Sequence, residues 1–159
     1  MGPLILLTIA AATQADADKL PPAQALPPPA AEEQAVLAPI NALFAAFEAG
    51  DPAGVLRAVY PDGRVTAVGT LRTGNGLRQE SWTQFAARLK PGEGFRESIS
   101  DPAIEIDGDI AMVWAPFAVR VGGKVNNCGV DHFDLVRENG AWKVMNISFS
   151  SRTTGCPPE

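Results

Sequence analysis

The part of the chain that most constrains its fold is the C-terminal region, where strand-length runs alternate with turn residues. The turn residues are Asp107-Gly108-Asp109, Gly122-Gly123 and Glu138-Asn139-Gly140. Gly and Asn readily adopt the positive φ angles of tight hairpins, so these positions predict reversals of the chain. The strands expected around them are residues 95–106 (interrupted by Asp101-Pro102), 110–121, 125–137 and 142–152. Strands joined by such short turns pair with their neighbours, which predicts a long antiparallel meander.

The region before the meander has helical periodicity. Apolar residues recur at helical spacing from Val36 through Ile40 to Phe47, and Gly50 supplies the stop signal. Pro39 interrupts the early part of this run. Because proline suits the first turn of a helix, we expect the regular helix to begin there.

Further helix signals surround one early strand. Asp51, followed by proline, predicts the cap of a short second helix, and Ser81 predicts the cap of a third that extends to Leu89. Residues 64–69 are typical of a strand, and residues 73–76 of a turn. The prediction is an α+β fold, in which three N-terminal helices pack on a curved antiparallel sheet and form a cone with an internal pocket.

The chain divides into four predicted segments. Residues 1–17 resemble a signal peptide, because a short apolar run ends in small residues, although no Lys or Arg precedes it. This run is too short to span a membrane, so the mature protein is expected to have no transmembrane segment. Residues 18–31 form a Pro/Ala-rich linker, 32–156 the folded domain and 157–159 a tail. We therefore expect a periplasmic or secreted protein.

Composition excludes one class of partner. The net charge is −5, and the 13 Lys and Arg residues are scattered rather than gathered into a basic stripe. Nucleic acid is therefore not expected as a partner, because phosphate backbones bind such stripes. No cofactor is expected. His132 is the only histidine, and it has no cysteine or carboxylate cluster at ligand spacing, so no metal site is expected either.

The most informative single residue is Asp131, within the predicted strand 125–137. Side chains alternate along a strand, so Asp131 shares a face with Phe133 and Leu135. A carboxylate on an apolar face is costly unless it has a partner, a ligand or a proton. Asp131 is therefore a candidate for the floor of a pocket. A structural pairing with an arginine or with Tyr60 is the alternative interpretation.

The order of elements resembles the nuclear transport factor two-like superfamily, whose members are cone-shaped. Residues 129–133, residues 45–51 and Lys143-Val144 are similar to ketosteroid isomerase. The chain resembles lumazine-binding-like bacterial members more closely. The shared features are an exported segment, the Cys-Gly-Val-Asp run at 128–131, the run Trp142-Lys143-Val144, and Gly155-Cys156 at the end. The resemblance covers residues 33–156, and it implies a pocket between the sheet and the helices.

The isomerase's catalytic residues transfer only in part. Its protonated aspartic acid falls on Asp131, which matches the worked example of a carboxylic acid kept neutral by an apolar site. Its tyrosine position falls on Leu43, and its general-base position falls at or beside Ala67, next to Thr66. Neither position supplies the required group. Ketosteroid isomerisation is therefore not expected, because losing a base and an oxyanion donor removes factors each worth about 10²-fold or more.

The resemblance and strand alternation together predict the lining of the pocket. We expect two strand faces to point inward, one with Met112 and Trp114 and one with Ile147 and Phe149. Trp142 and Asn146 are expected to point outward. Core packing is the alternative role for these apolar residues. The predicted ligand-binding residues are Tyr60, Met112, Trp114, Asp131, Phe133, Ile147 and Phe149.

Cys128 and Cys156 are the only cysteines. An even count in an exported protein favours a disulfide, and Cys156 follows the last strand while Cys128 begins the strand expected beside it. A nucleophilic thiol at Cys128 is the alternative, but no base on its own face is evident.

Three functions are compatible with the sequence. The first is an exported, non-catalytic binding domain for a small apolar or aromatic ligand. The second is an isomerase, dehydratase or cyclase in which Asp131 is the general acid or base. The third is a homodimer-forming module that uses the outer sheet face bearing His132, Asn146 and Ser148.

Overall fold

The computed structural model describes residues 30–71, 74–92 and 94–157. The predicted leader, residues 1–17, lies outside the described residues, as does most of the predicted linker. Within the described parts no helix is long and apolar enough to cross a membrane. The elements are α1 (Ala31–Ala49), α2 (Pro52–Ala58), β1 (Arg64–Leu71), β2 (Gly74–Ser81), α3 (Trp82–Ala86), β3 (Phe95–Ile99), β4 (Ala103–Asp107), β5 (Ile110–Val121), β6 (Lys124–Glu138) and β7 (Ala141–Ser151).

The strands form one curved, unclosed sheet on which the helices pack. Its order is β2-β1-β7-β6-β5-β3. The strand β4 also pairs with β5, on the same edge as β3. All pairs are antiparallel except β1 with β7, which is parallel. The predicted α+β class and the predicted meander are confirmed.

The first helix is longer than predicted. It begins at Ala31, not at Pro39, and Pro39 lies inside it. Proline removes one backbone N–H, which leaves the carbonyl of the residue four positions earlier without its helical donor. That residue, Ala35, is exposed, so water can satisfy its carbonyl. Gly50 ends the helix with φ of 60°, as predicted.

The region around the third helix differs in two ways from the prediction. Ser81 caps α3 as expected: the backbone N–H of Gln84 donates to Ser81 Oγ at 3.2 Å, and the backbone N–H of Ser81 donates to Gln84 Oε1 at 2.9 Å. The helix nevertheless ends at Ala86 rather than near Leu89. Residues 74–76 begin β2 instead of forming a turn, since Gly74 pairs with Leu71 in a hairpin.

A β-bulge in β7 changes which side chains face the helices. Asp134 pairs with Asn146, but the next residue of β6, Leu135, pairs with Val144. Met145 is therefore an extra residue, and strand alternation reverses across it. The outward prediction for Trp142 is wrong for this reason, since Trp142 belongs to the buried core together with Val144.

Candidate ligand site on the inner face of the sheet

Asp131 lies at the centre of the sheet and faces its helical side. It pairs with Ala115 on β5 and with Phe149 on β7. Its side chain is fully buried at 0% exposure, and the flanking Phe133 and Leu135 are buried on the same face. Asp131 therefore lies on the buried side of the sheet, and its role as a ligand contact stays a prediction.

The Asp131 carboxyl has no partner among the described residues. Neither Oδ1 nor Oδ2 accepts or donates a hydrogen bond there. The alternative interpretation, a structural pairing with an arginine or with Tyr60, is therefore not found among the described residues. An unsatisfied buried polar group costs about 1–3 kcal/mol. Burial raises the pKa of Asp131 well above its ordinary range, and repulsion from the Glu97 carboxyl raises it further. A buried carboxyl with this environment favours its protonated form.

Glu97 is a second inward carboxyl, which the sequence interpretation missed. It lies on β3 between Phe95 and Ile99, both of which pack against the core, whereas Arg96 and Ser98 are exposed. Glu97 itself is half-buried, and burial raises its pKa to about 8. The signal was present, because an acid between two apolar residues at spacing two is the pattern that identified Asp131.

Aromatic rings flank the carboxyls on this face. The Phe117 and Phe149 rings meet edge to face at a centroid distance of 6.0 Å. Phe133 meets Phe44 of α1 at 6.0 Å. Gly129 permits the close packing of this region, because a Cβ there would lie 2.0 Å from the Ser150 carbonyl oxygen and 2.8 Å from Phe117 Cε1.

Besides Asp131, three of the predicted lining residues face inward. Phe133 and Ile147 are buried, and Phe149 is partly buried against the core. Their contact with a ligand stays a prediction.

The inward placement of Met112 and Trp114 is wrong. Residues directly opposite in an antiparallel pair share a face, and Trp114 lies opposite His132 while Ala115 lies opposite Asp131. Trp114 is 53% exposed on the outer face. The inner face of β5 is formed instead by Ala111, Val113, Ala115, Phe117 and Val119.

The positions carried over from the isomerase are apolar in the structure. Leu43 is fully buried in α1, and Ala67 is buried opposite Phe149. Thr66 faces the other way, where its Oγ1 accepts a hydrogen bond from Gln79 Nε2 at 3.2 Å. Tyr60 is half-buried, and its backbone N–H donates to the Val144 carbonyl at 2.8 Å.

The outer face of the same strands is polar and internally paired. His132 Nε2 lies 3.6 Å from Asp134 Oδ1, and Asn146 Nδ2 donates to Asp134 Oδ2 at 3.2 Å. The Trp114 and His132 rings lie 6.0 Å apart. The predicted outward direction of His132 is confirmed.

A disulfide joins Cys128 to Cys156, with a Cα–Cα distance of 5.6 Å. Backbone hydrogen bonds in both directions between Cys128 and Arg152 hold the two segments together. The predicted pairing is confirmed, and it excludes a free thiol at Cys128.

Two surface cavities lie away from both inward carboxyls. One of about 730 Å³ runs along the alanine-rich side of α1 to Trp142. The other, of about 400 Å³, is lined by β4 to β7 and includes Met112, Asp134 and Met145. Among the residues with described positions, no three His, Cys, Asp or Glu side chains cluster as a metal site requires.

Comparison with solved structures identifies the fold. An NTF2-like protein from Cytophaga hutchinsonii is 17% identical, with a TM-score of 0.63 over 76% of this chain and 98% of that one. A protein of unknown function with a cystatin-like fold from Nostoc punctiforme is 13% identical, with a TM-score of 0.64 over 79% and 95%. An NTF2-like protein of unknown function from Silicibacter pomeroyi is 21% identical, with a TM-score of 0.57 over 76% and 97%. The predicted nuclear transport factor two-like cone is thereby confirmed.

A family model described as putative lumazine-binding matches residues 31–150. This match spans every helix and strand of the described chain except the last residue of β7. Comparison with curated proteins gives no match.

Proposed function

We propose that this chain, which belongs to the putative lumazine-binding family, is a small-molecule-binding domain whose ligand contacts the inner face of the sheet and hydrogen-bonds to Asp131. The observation that carries the proposal is the fully buried Asp131 carboxyl, whose two oxygens have no partner among the described residues. Buried polar groups in native proteins are almost always satisfied, and a ligand would satisfy this one.

The surroundings of Asp131 favour a flat, largely apolar ligand. Its neighbours across the sheet, Ala115 and Phe149, are apolar, and edge-to-face aromatic pairs lie on either side. Binding sites of this kind gain affinity from apolar burial and orientation from a few polar groups. A lumazine, which is a flat ring system bearing carbonyl oxygens and ring nitrogens, has the required combination.

The first test needs no ligand. Replacing a buried carboxyl that has no partner by leucine is expected to leave the free energy of unfolding unchanged or to raise it by about 1–3 kcal/mol at pH 7. Urea unfolding of Asp131→Leu measures this, with Asp134→Leu on the outer face as the matched control. A loss of 3 kcal/mol or more specific to Asp131→Leu would show a structural partner and would contradict the proposal.

The second test uses 6,7-dimethyllumazine as a fluorescent probe. The wild-type chain is expected to bind it saturably, and Asp131→Leu to weaken binding at least tenfold, because one oriented hydrogen bond is worth about 1.4 kcal/mol. Asp131→Asn should retain part of the affinity, since an amide still donates and accepts. Equal affinity in all three proteins would place the binding elsewhere.

A second candidate function is an isomerase, dehydratase or cyclase in which Asp131 is the general acid or base. The observation that favours it is Glu97, which supplies a second titratable group on the same face. Acid–base enzymes often hold two carboxyls whose environments differ. In this case Asp131→Asn would retain binding but abolish turnover, whereas a pure binding domain shows no turnover in either protein.

We also propose that the chain works in the periplasm or is secreted. The Cys128–Cys156 disulfide supports this, because disulfides persist mainly in oxidising compartments. Mass spectrometry of the protein from its native cells tests it. Cleavage near residue 17 together with an oxidised cysteine pair is expected, whereas an uncleaved chain in the cytoplasmic fraction would contradict it.

A further inference from the structure

The inner face carries two carboxyls and no cationic side chain among the described residues. Asp131 lies on β6 and Glu97 on β3, and both strands pair with β5 from opposite sides. Within the described residues, no hydrogen bond or ion pair reaches the Asp131 oxygens, and no ion pair involves Glu97.

Most side chains packed against the pair are apolar. Among the described residues, the inward positions of α1, β1, β5 and β7 include no titratable group, and Asp131 is the only one of β6. Asn127 of β6 is inward and polar, and it donates a hydrogen bond to Ser151 Oγ of β7 at 3.2 Å. The inward apolar side chains of β3, β5, β6 and β7 include Phe95, Ile99, Phe117, Val119, Phe133 and Phe149. His132 and Asp134 face the opposite side of the sheet.

Two acids in this environment resist ionisation. Burial raises the pKa of Glu97 to about 8 and that of Asp131 well above its ordinary range, and their mutual repulsion adds to the effect at Asp131. The pair therefore tends to hold protons at neutral pH. A positively charged ligand would lower the pKa of these carboxyls, because a nearby opposite charge favours the ionised form.

The aromatic rings also suit a positive charge. Phe47 and Phe95 meet at 6.3 Å, edge to face, near the β3 end of the site. Phe117 and Phe149 meet at 6.0 Å beside Asp131. The faces of aromatic rings attract cations, and the attraction grows when water is excluded.

We propose that Asp131 and Glu97 together form the recognition site for a compact organic cation, an amidinium or a protonated amine attached to a flat apolar body. The proposal rests on the ligand-binding function above and narrows its flat, largely apolar ligand to a cationic one, in place of a neutral lumazine. A divalent metal fits less well, because Ca²⁺ needs six to eight oxygen ligands and Mg²⁺ an octahedron, while this face offers two carboxyls.

The test compares two probes of the same shape. Benzamidine is a planar cation at neutral pH, and benzamide is its neutral counterpart. We expect benzamidine to bind at least tenfold more tightly than benzamide at pH 8, measured by isothermal titration calorimetry. Equal affinity, or no benzamidine binding, would overturn the proposal.

The pH dependence provides an independent readout. Cation binding requires an ionised carboxyl, so benzamidine affinity should rise as the pH increases from 6 to 9, and each binding event near pH 7 should release protons. Calorimetry in two buffers of different ionisation enthalpy counts these protons. Glu97→Gln should reduce the proton release and the benzamidine preference, whereas Glu105→Gln, which alters an exposed acid on β4, should change neither. Unchanged proton release in Glu97→Gln would exclude Glu97 from the site.

The outcomes separate the two proposals. If 6,7-dimethyllumazine or benzamide binds in an Asp131-dependent way but benzamidine has no advantage, the binding function stands and the cation class is wrong. If Asp131→Leu strongly destabilises the fold and no probe binds, both proposals fail.

Discussion

The two faces of β6 place an aspartate side chain in opposite environments. Asp134, on the outer face, accepts a hydrogen bond from Asn146 and lies near His132. Asp131, only three residues earlier, is fully buried on the inner face with no partner among the described residues. An outer-face carboxylate is stabilised by neighbours and water, while the inner carboxyl is left for a proton or a ligand. The outer-face carboxyl is therefore paired within the sheet, whereas the inner-face carboxyl is buried without a partner among the described residues.

The largest expected difference between the faces is in packing. Phe133→Ala should lower the free energy of unfolding by about 3–5 kcal/mol, because it removes a fully buried ring that contacts Phe44. Urea unfolding measures this. A loss below about 1 kcal/mol would mean that the inner face is loosely packed and already open to solvent.

Towards the N-terminal end of β6, the disulfide is expected to make the main contribution to the free energy of unfolding. Replacing Cys128 and Cys156 by serine should cost roughly 3–4 kcal/mol, from the entropy of a loop with a sequence separation of 28. Thermal unfolding with and without reductant compares the two proteins. If reductant leaves the wild-type midpoint unchanged, the bond adds no stability and the estimate is wrong.

The inner carboxyls should also give stability an unusual pH dependence. Their pKa values are raised in the folded state, for Glu97 from 4.5 to about 8, so the folded chain holds protons that the unfolded chain has lost. The free energy of unfolding should therefore fall as the pH rises from about 4.5 towards 8, with a slope of at most about 1.4 kcal/mol per pH unit for each proton. Urea unfolding at several pH values measures the slope.

Size-matched variants assign that slope to the inner face. Asp131→Asn and Glu97→Gln should each flatten it, while Asp134→Asn should leave it unchanged. A slope that Asp134→Asn reduces as much as Asp131→Asn would remove the contrast between the faces.

The smallest expected effect is at Trp114. Since this side chain is 53% exposed, Trp114→Ala should change the free energy of unfolding of the monomer by less than about 1 kcal/mol. Homodimerisation through the outer face stays a prediction, and the same residue tests it. Sedimentation velocity should show a weaker dimer for Trp114→Glu than for the wild type, whereas a wild-type monomer at high concentration would rule the interface out.

Local patterns in the sequence predicted the elements well. Turn residues such as Gly108 and Gly122 adopt the expected positive φ angles, and Ser81 and Gly50 cap helices as predicted. These positions depend on interactions within a few residues, which explains why the sequence alone suffices. The start of α1 escaped prediction because an exposed turn tolerates Pro39.

The side of the sheet that each strand residue occupies was harder to predict. Alternation separates the residues of β5 into two sets, but both sets are mostly apolar, so hydrophobicity does not say which set faces the helices. The larger Trp114 was assigned inward, whereas the structure places Ala115 there and leaves Trp114 exposed on the outer face. Asp131 was assigned correctly because β6 has one strongly apolar face. Glu97 was missed because its strand was not divided into faces.

The extra residue in β7 has a consequence for how the sheet tolerates changes in length. A one-residue insertion in a regular strand turns every later side chain to the other face. At Met145 the insertion is absorbed, since Val144 and Ile147 both remain buried on either side of it. The displaced Met145 carbonyl accepts a hydrogen bond from the Trp82 indole at 2.9 Å, so the added residue also anchors α3. The bulge at Met145 therefore lets β7 carry one extra residue, while the core residues and the neighbours of the inner carboxyls keep their inward positions.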